Sequence, residues 1–327
     1  VRALVTGGGG FLGEALVRAL VARGDQVRVL ARGDYPHLRA LGVEALRGDL
    51  CDAPTVNAAC REMEVVFHTA AKAGGWGPKR EFEATNVAGT AHVIDGCEQH
   101  GCVLVYTSSP SVVHVHRDVE GENESLPYPA SYTADYPRTK AIAERAVRAA
   151  KVASISLRPH LIWGPGDHHL LPRLLARSRA GRLRQVGTRD VKTDTVYVDN
   201  CVHAHLLAAQ ALCSGRSTGN PVYFVSDDAP VGVWTMANRM LAAAGAPPVG
   251  PPVPAWLASA VGATLEGVHR VLGLQQEPFM TRFAASELSH AQWFDLTAIK
   301  RDLGYAPLVS IDEGLARLAA WCRVHLP

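Results

Sequence analysis

Tyr136 and Lys140, in Tyr136-Pro137-Arg138-Thr139-Lys140, stand four residues apart. Positions i and i+4 of a helix share a face, so a phenol and an ammonium placed there can act on one group. A free tyrosine ionises near pH 10 and is a poor acid or base at neutrality. A neighbouring cation lowers that value, and an oxidised nicotinamide would add a second positive charge. Pro137 suits a first helical turn, where no internal N–H bond is required. Tyr128 and Tyr132 precede at the same spacing, but only Tyr136 has lysine four residues on. Such a pair also occurs on many helix surfaces, so its meaning depends on what surrounds it.

A second set is Thr6-Gly7-Gly8-Gly9-Gly10-Phe11-Leu12-Gly13, with Gly7, Gly10 and Gly13 spaced three apart. An apolar strand at 1–6 leads in. Helical spacing at Phe11, Leu12, Ala15, Leu16, Ala19 and Leu20 leads out, stopped by Arg23-Gly24. A glycine run between strand and helix meets the demands of a pyrophosphate: a tight turn, close backbone approach, and close packing of helix on sheet. NAD-selective sites carry Asp or Glu roughly 20 residues further on, at the end of the second strand. Ala31 and Arg32 stand there instead. Nothing repels a 2′-phosphate and a guanidinium can bind it, so the expected cofactor is NADP(H). Asp49, in Gly48-Asp49-Leu50, can meet the adenine amino group or cap a helix. The strand at 103–107 ends in Ser108-Ser109. Ligands bind at the carboxyl ends of parallel strands, so a serine there can hold a carbonyl oxygen while a tyrosine protonates it. The doubled serine leaves its register open.

The elements that must position these groups follow one rhythm. Strand-like runs at 27–30, 43–46, 65–68, 103–107 and 155–157 alternate with helical stretches at 54–63, 81–99 and 136–150. This predicts an α/β fold, a doubly wound parallel sheet of Rossmann type. After Arg158-Pro159 the rhythm loosens into short strands (196–198, 222–225) and helices (170–180, 200–212, 234–244, 255–272). The expected organisation is a dinucleotide-binding domain over 1–160 and a smaller, mainly substrate-binding C-terminal lobe over 161–327, with about 190–212 returning to the Rossmann core.

The chain has 327 residues, 47% apolar and 20% charged, which supports packed cores and excludes a disordered chain. With 33 basic and 31 acidic residues its net charge of +2 points to no nucleic-acid partner. The 7 cysteines never fall in C-x-x-C spacing and read as scattered thiols of a reducing compartment. No apolar run is long enough for a membrane span and no secretory leader is visible, so a cytoplasmic protein is expected. The pairs His114/His116, His168-His169 and His203/His205 lack Cys or carboxylate partners at ligand spacing, so no metal is expected. Arg173, Arg177, Arg179, Arg182, Arg184 and Arg189 form a basic run that reads as a solvated face or a receiver of an acidic partner or membrane surface. The segment 253–274 reads as core or as an apolar flap over a greasy substrate.

Glycine loop, strand-end serine and helical Tyr/Lys, in this order, resemble an extended short-chain dehydrogenase/reductase of the 3β-hydroxysteroid dehydrogenase-like branch. The resemblance extends over Ala70-Ala71-Lys72-Ala73-Gly74-Gly75-Trp76-Gly77, Leu157-Arg158-Pro159-His160-Leu161-Ile162-Trp163-Gly164-Pro165-Gly166-Asp167 and His169-Leu170-Leu171-Pro172-Arg173-Leu174. Thr281-Arg282-Phe283 and Leu303-Gly304-Tyr305-Ala306-Pro307 fit as well. Within the branch the likeness is strongest to the reductases of bacterial long-chain olefin biosynthesis.

The resemblance implies Tyr136 as acid/base, Lys140 as its partner and ribose anchor, and Ser109 as carbonyl binder with Ser108 as runner-up. It implies a cofactor site of Gly7, Gly10, Phe11, Leu12, Gly13, Arg32, Asp49, Leu50, Thr69, Ala70, Ala71, Lys72, Tyr136, Lys140 and Pro159, with Asn86 in support. His160 and Trp163 are candidates to touch substrate. The implied reaction is NADPH-dependent reduction of a long-chain 2-alkyl-3-oxo acid. Oxidation of a 3β-hydroxysteroid or sterol 4-carboxylate stays open, as does a non-catalytic NADP(H) sensor. Pro110-Ser111 follows the strand-end serines, where the superfamily's nucleotide-sugar dehydratases have Asp-Glu, which argues against dehydration. Implied partners are a small hydrophobic acyl or sterol-like substrate, a second copy in a homodimer, neighbouring pathway enzymes, and a membrane surface touched peripherally.

Overall fold

The computed structural model describes residues 1–217 and 219–326. Seven strands form the central sheet: β1 (Arg2–Thr6), β2 (Gln26–Ala31), β3 (Glu44–Arg47), β4 (Val65–His68), β5 (Val103–Thr107), β6 (Ser154–Pro159) and β7 (Val222–Val225). All pair in parallel, in the order β3-β2-β1-β4-β5-β6-β7. The four residues of β4 and the six of β6 are all buried, as expected of strands covered on both faces. β7 adds a strand beyond the expected 190–212 return. It is the short strand expected at 222–225, but a loop separates it from the preceding helix, so the alternating rhythm does not reveal that it joins this sheet.

Helices α1 (Phe11–Ala22) and α4 (Val198–Cys213) pack together on one face, and α2 (Gly89–His100) covers the other. α3 (Asp135–Ala149) presents Tyr136 and Lys140 near its start. Thr69 to Ala73, Ser108 and Ser109 are post-strand loops, so the sheet's carboxyl edge gathers every expected functional segment. A four-stranded sheet of Val119–Glu122, Gln292–Phe294, Lys192–Thr193 and Val231–Gly232 sits beyond that edge. Two helices, α5 (Ala255–Val271) and α6 (Arg282–Ser289), pack on each other so closely that a Cβ on Gly262 would lie 2.8 Å from the Thr281 and Arg282 backbone. Among the described residues no helix is long and apolar enough to cross a membrane.

Candidate active site

The glycine loop is shaped by contacts no other residue permits. Gly7 has φ +72°, and a Cβ there would lie 2.8 Å from the Ala70 Cα. A Cβ on Gly13 would lie 2.2 Å from the Gly7 carbonyl oxygen, so α1 starts directly against the loop. Gly10 caps α1 without a side chain, and Phe11 and Leu12 border the cavity in front, leaving first-turn N–H groups for an anion. The loop therefore fits a dinucleotide pyrophosphate.

That cavity, about 750 Å³, runs across the carboxyl ends of the strands. Gly7, Gly10, Phe11, Leu12, Arg32, Asp49, Leu50, Thr69 to Lys72, Ser109, Tyr136, Lys140 and Pro159 all border it. Gly13 does not: it lies one turn into α1 and serves the packing just described. Arg32 is exposed at the rim beyond β2. The Asp49 carboxylate accepts from the Cys51 amide at 2.9 Å, which helps to hold its pKa below the usual value.

The loop after β4 is held from behind. Asn86, in a π-helical turn at Glu83–Ala88, accepts from the Lys72 amide (2.7 Å) and donates to the Lys72 carbonyl (3.0 Å) and the Thr139 hydroxyl (3.0 Å). It thereby fixes the loop to α3. Thr90 donates to the Asn86 carbonyl (2.7 Å), so it accepts from His68 Nε2 (3.0 Å). His68 Nδ1 is then the acceptor for the Thr6 hydroxyl (2.7 Å). Burial keeps this imidazole neutral, its pKa lowered to about 3.

Of the two serines, Ser109 is the one on the Tyr136 side, and it draws the phenol's pKa down. Ser109 also stands 2.9 Å from the Ser111 hydroxyl. Ser108 is buried on the side of Glu144, whose carboxylate forms a wholly enclosed ion pair with Arg158 at 2.6 Å. Lys140 donates to the Thr107 carbonyl at 2.6 Å and lies 4.1 Å over the Tyr106 ring. Burial lowers its pKa from 10.5 to about 7, partly opposed by Glu144. The expected acidification of Tyr136 is absent in the chain alone. Burial raises the phenol's pKa, Ser109 draws it down, and the charge of Glu287 raises it again. A half-neutralised ammonium tied to a backbone carbonyl does not offset burial. The set can still donate a proton to an oxygen held at Ser109, since a phenol of high pKa is a willing donor to an alkoxide.

Several residues escaped the sequence reading. Glu287 and Phe283, from α6, and Ser111 border the same cavity. Burial raises the Glu287 carboxyl to about 7. Its Oε1 lies 3.0 Å from His114 Nδ1, and His114 Nε2 lies 3.1 Å from the Ser286 hydroxyl, which His116 Nδ1 approaches at 2.9 Å. Tyr35 covers Gly9 and also borders the cavity. His160 borders the cavity, whereas Trp163 is fully buried and donates to Asp227 at 3.2 Å, away from it. Part of the basic run is bound internally: Arg173 pairs with Glu277 at 2.6 Å and Arg189 with Asp118 at 2.8 Å. Among the described residues no group of three or more His, Cys, Asp or Glu could hold a metal ion.

Comparisons with known proteins agree with this architecture. A 2-alkyl-3-oxoalkanoate reductase of Shewanella oneidensis is 47% identical over 97% of this chain and 85% of its own. One of Stenotrophomonas maltophilia is 46% identical over 98% and 99%. The human sterol-4-alpha-carboxylate 3-dehydrogenase, decarboxylating, is 31% identical over 97% and 87%. Among solved structures, MoeE5 in complex with UDP-glucose and NAD superposes with a TM-score of 0.76 at 25% identity, each chain covered in full. The family model described as 3-beta hydroxysteroid dehydrogenase/isomerase matches residues 4–250. With that match spanning both the glycine loop and the Tyr/Lys helix, the chain belongs to the 3-beta hydroxysteroid dehydrogenase/isomerase family of extended short-chain dehydrogenase/reductases and is an oxidoreductase.

Proposed function

We propose that the protein reduces the 3-oxo group of a long-chain 2-alkyl-3-oxoalkanoic acid with NADPH, giving the 2-alkyl-3-hydroxyalkanoic acid. The observation that carries this is the convergence of Ser109, Tyr136 and Lys140 on a cavity that begins at the glycine loop. The two reductases at 46% and 47% identity support the substrate class. When bound, NADPH supplies the hydride. The glycine loop and the start of α1 hold its pyrophosphate, and Asn86 keeps the 69–72 loop in place behind it. Arg32, with Ala31 leaving no acid beside it, favours a 2′-phosphate, which supports NADP(H) over NAD(H). Ser109 positions the carbonyl oxygen, Tyr136 delivers its proton there, and Lys140 anchors a ribose and shares charge with the phenol. Asp49 and Leu50 border the adenine end and Pro159 the substrate side. The same reading carries a cytoplasmic setting, a homodimer, and contact with pathway enzymes and a membrane surface.

A second reading, oxidation of a 3β-hydroxysteroid or sterol 4-carboxylate, is favoured by the 31% identity to the human sterol dehydrogenase. It needs the same three residues. A cofactor sensor would not need them intact.

The test follows nicotinamide absorbance with a synthetic 2-alkyl-3-hydroxy acid, run as oxidation because 3-oxo acids decarboxylate. NADP⁺ and NAD⁺ are compared, with a 3β-hydroxysteroid in competition. Rapid NADP⁺ reduction by the acid is expected, and Tyr136→Phe should lower it by about 100-fold or more while still binding cofactor. Turnover of the steroid alone moves the function to sterol chemistry. Tight cofactor binding with no turnover leaves a sensor.

A further inference from the structure

The Ser109 hydroxyl has one hydrogen to give and two positions at which to accept. The residues that follow decide how these are used. The 3-10 turn Pro110–Val113 comes directly after it, with all four of its residues buried. Pro110 has no N–H, so the first amide that can reach back is that of Ser111, which donates to the Ser109 hydroxyl oxygen at 3.2 Å. The Ser111 hydroxyl oxygen lies 2.9 Å from the same atom. The turn is fixed from several sides. The Val112 amide donates to the Ser109 carbonyl at 3.2 Å, and the His114 amide to the Ser111 carbonyl at 3.2 Å. The Tyr132 hydroxyl donates to the Val112 carbonyl at 2.9 Å.

Two placements of hydrogen fit the pair of hydroxyls. With Ser109 as donor, its only proton is taken up by Ser111 and none is left for a ligand. With Ser111 as donor, its amide and hydroxyl together fill both acceptor positions of Ser109, and the Ser109 proton is free to point into the cavity. Both serines border that cavity. A carbonyl oxygen only accepts, so its arrival at Ser109 selects the second placement. Among the described residues the Ser111 hydroxyl has no other hydrogen-bond partner, so donating to Ser109 breaks no other bond. Nor does the turn require this hydroxyl, since the Ser111 amide already meets the capping oxygen. The downward pull of Ser109 on the Tyr136 pKa has the sign expected of a hydroxyl that donates toward the phenol oxygen.

We propose that Ser111 is a positioning residue of the reaction: its hydroxyl donates to Ser109 and so directs the Ser109 proton at the carbonyl oxygen of the substrate. The bonds run from Ser111 to Ser109 to that oxygen, each polarising the next. Charge that develops on the oxygen strengthens both, so the effect falls on the chemical step and not on substrate affinity. Neither serine gives up its proton; the proton that stays on the oxygen comes from Tyr136. The inference rests on the proposed roles of Ser109 and Tyr136, but not on which hydroxy compound is the substrate.

The test is a double-mutant cycle of Ser109→Ala and Ser111→Ala at saturating NADP⁺. It uses whichever of the 2-alkyl-3-hydroxy acid and the 3β-hydroxysteroid the parent oxidises. Ser111→Ala should lower kcat about tenfold and leave KM nearly unchanged. In the Ser109→Ala background the same substitution should change kcat by less than about twofold, because Ser111 then has no proton to direct. Losses that multiply, a loss confined to KM, or a Ser111→Ala variant as fast as the parent overturn the proposal. If the parent oxidises neither compound, the proposed function fails separately, and the cycle is read in urea unfolding. There the two hydroxyls should be coupled, and additive losses of stability overturn the proposal.

Discussion

Lys140→Met should make the cofactor-free protein more stable near neutral pH while removing its turnover. The lysine is 3% exposed, and burial lowers its pKa from 10.5 to about 7. Between those values the unfolded chain holds a proton that the folded chain has released. Stability therefore rises with pH across that window, by about 1.4 kcal/mol per unit, or roughly 2 kcal/mol from pH 7.5 to 9. Below pH 7 the full cost of the buried ammonium is present, on the order of 5 kcal/mol. Methionine fills a similar volume without charge but leaves the Thr107 carbonyl without its donor, a loss of about 1–3 kcal/mol. The balance near pH 7 favours the variant by roughly 2–4 kcal/mol, which raises Tm by several degrees. The assay is thermal unfolding of parent and variant at pH 7.5 and 9. His68, His114, His160 and His205, at about 3 to 4, and Asp194 and Glu287, at about 7, have largely titrated below this range. The Cys102 thiol beside Cys97, and burial around Cys201, raise these two thiols. Stability then falls toward pH 9 equally in both proteins, so the parent's Tm should rise relative to the variant's by the Lys140 contribution. Parallel behaviour of the two proteins, or a variant less stable at pH 7.5, would refute the claim that Lys140 is held against its own charge.

Two further outcomes test other parts of the molecule. Arg32→Ala should lower kcat/KM for NADP⁺ by about 10- to 100-fold, the worth of a hydrogen bond to a charged group, and leave NAD⁺ nearly unchanged; equal losses with both cofactors would remove Arg32 from 2′-phosphate recognition. Acid should destabilise the fold below pH 6.5. There the unfolded chain protonates the four buried histidines, while the folded chain retains protons on Asp194 and Glu287 that the unfolded chain releases. The net uptake of two protons on unfolding makes stability fall with decreasing pH, by at most about 2.7 kcal/mol per unit. A urea midpoint no lower at pH 5 than at pH 6.5 would contradict this.

The parts of the site that were legible in the sequence are those whose geometry is local. Gly7, Gly10 and Gly13 act within one turn of chain, and Tyr136 and Lys140 within one turn of helix, so spacing alone conveys their relation. The register of the doubled serine was not local. It depends on which hydroxyl faces Tyr136 and which faces Glu144, and Glu144 is oriented by Arg158 from the next strand. The opposite wall was illegible for the same reason. Glu287 lies 151 residues from Tyr136 in the chain, and only the packing of α6 over the carboxyl edge makes them neighbours. No spacing rule links them, and an isolated Glu in Ala284-Ala285-Ser286-Glu287 reads as surface. The apolar 253–274 segment misled in another way. Its composition suits either core or flap, and hydropathy does not say which side of a helix finds a neighbour. Gly262 decides it, since α5 meets α6 where a side chain would not fit, and this turns Trp256 and Val271 outward. The reaction chemistry is thus written in short motifs near the sheet, while the wall that faces Tyr136 is written in long-range packing over it.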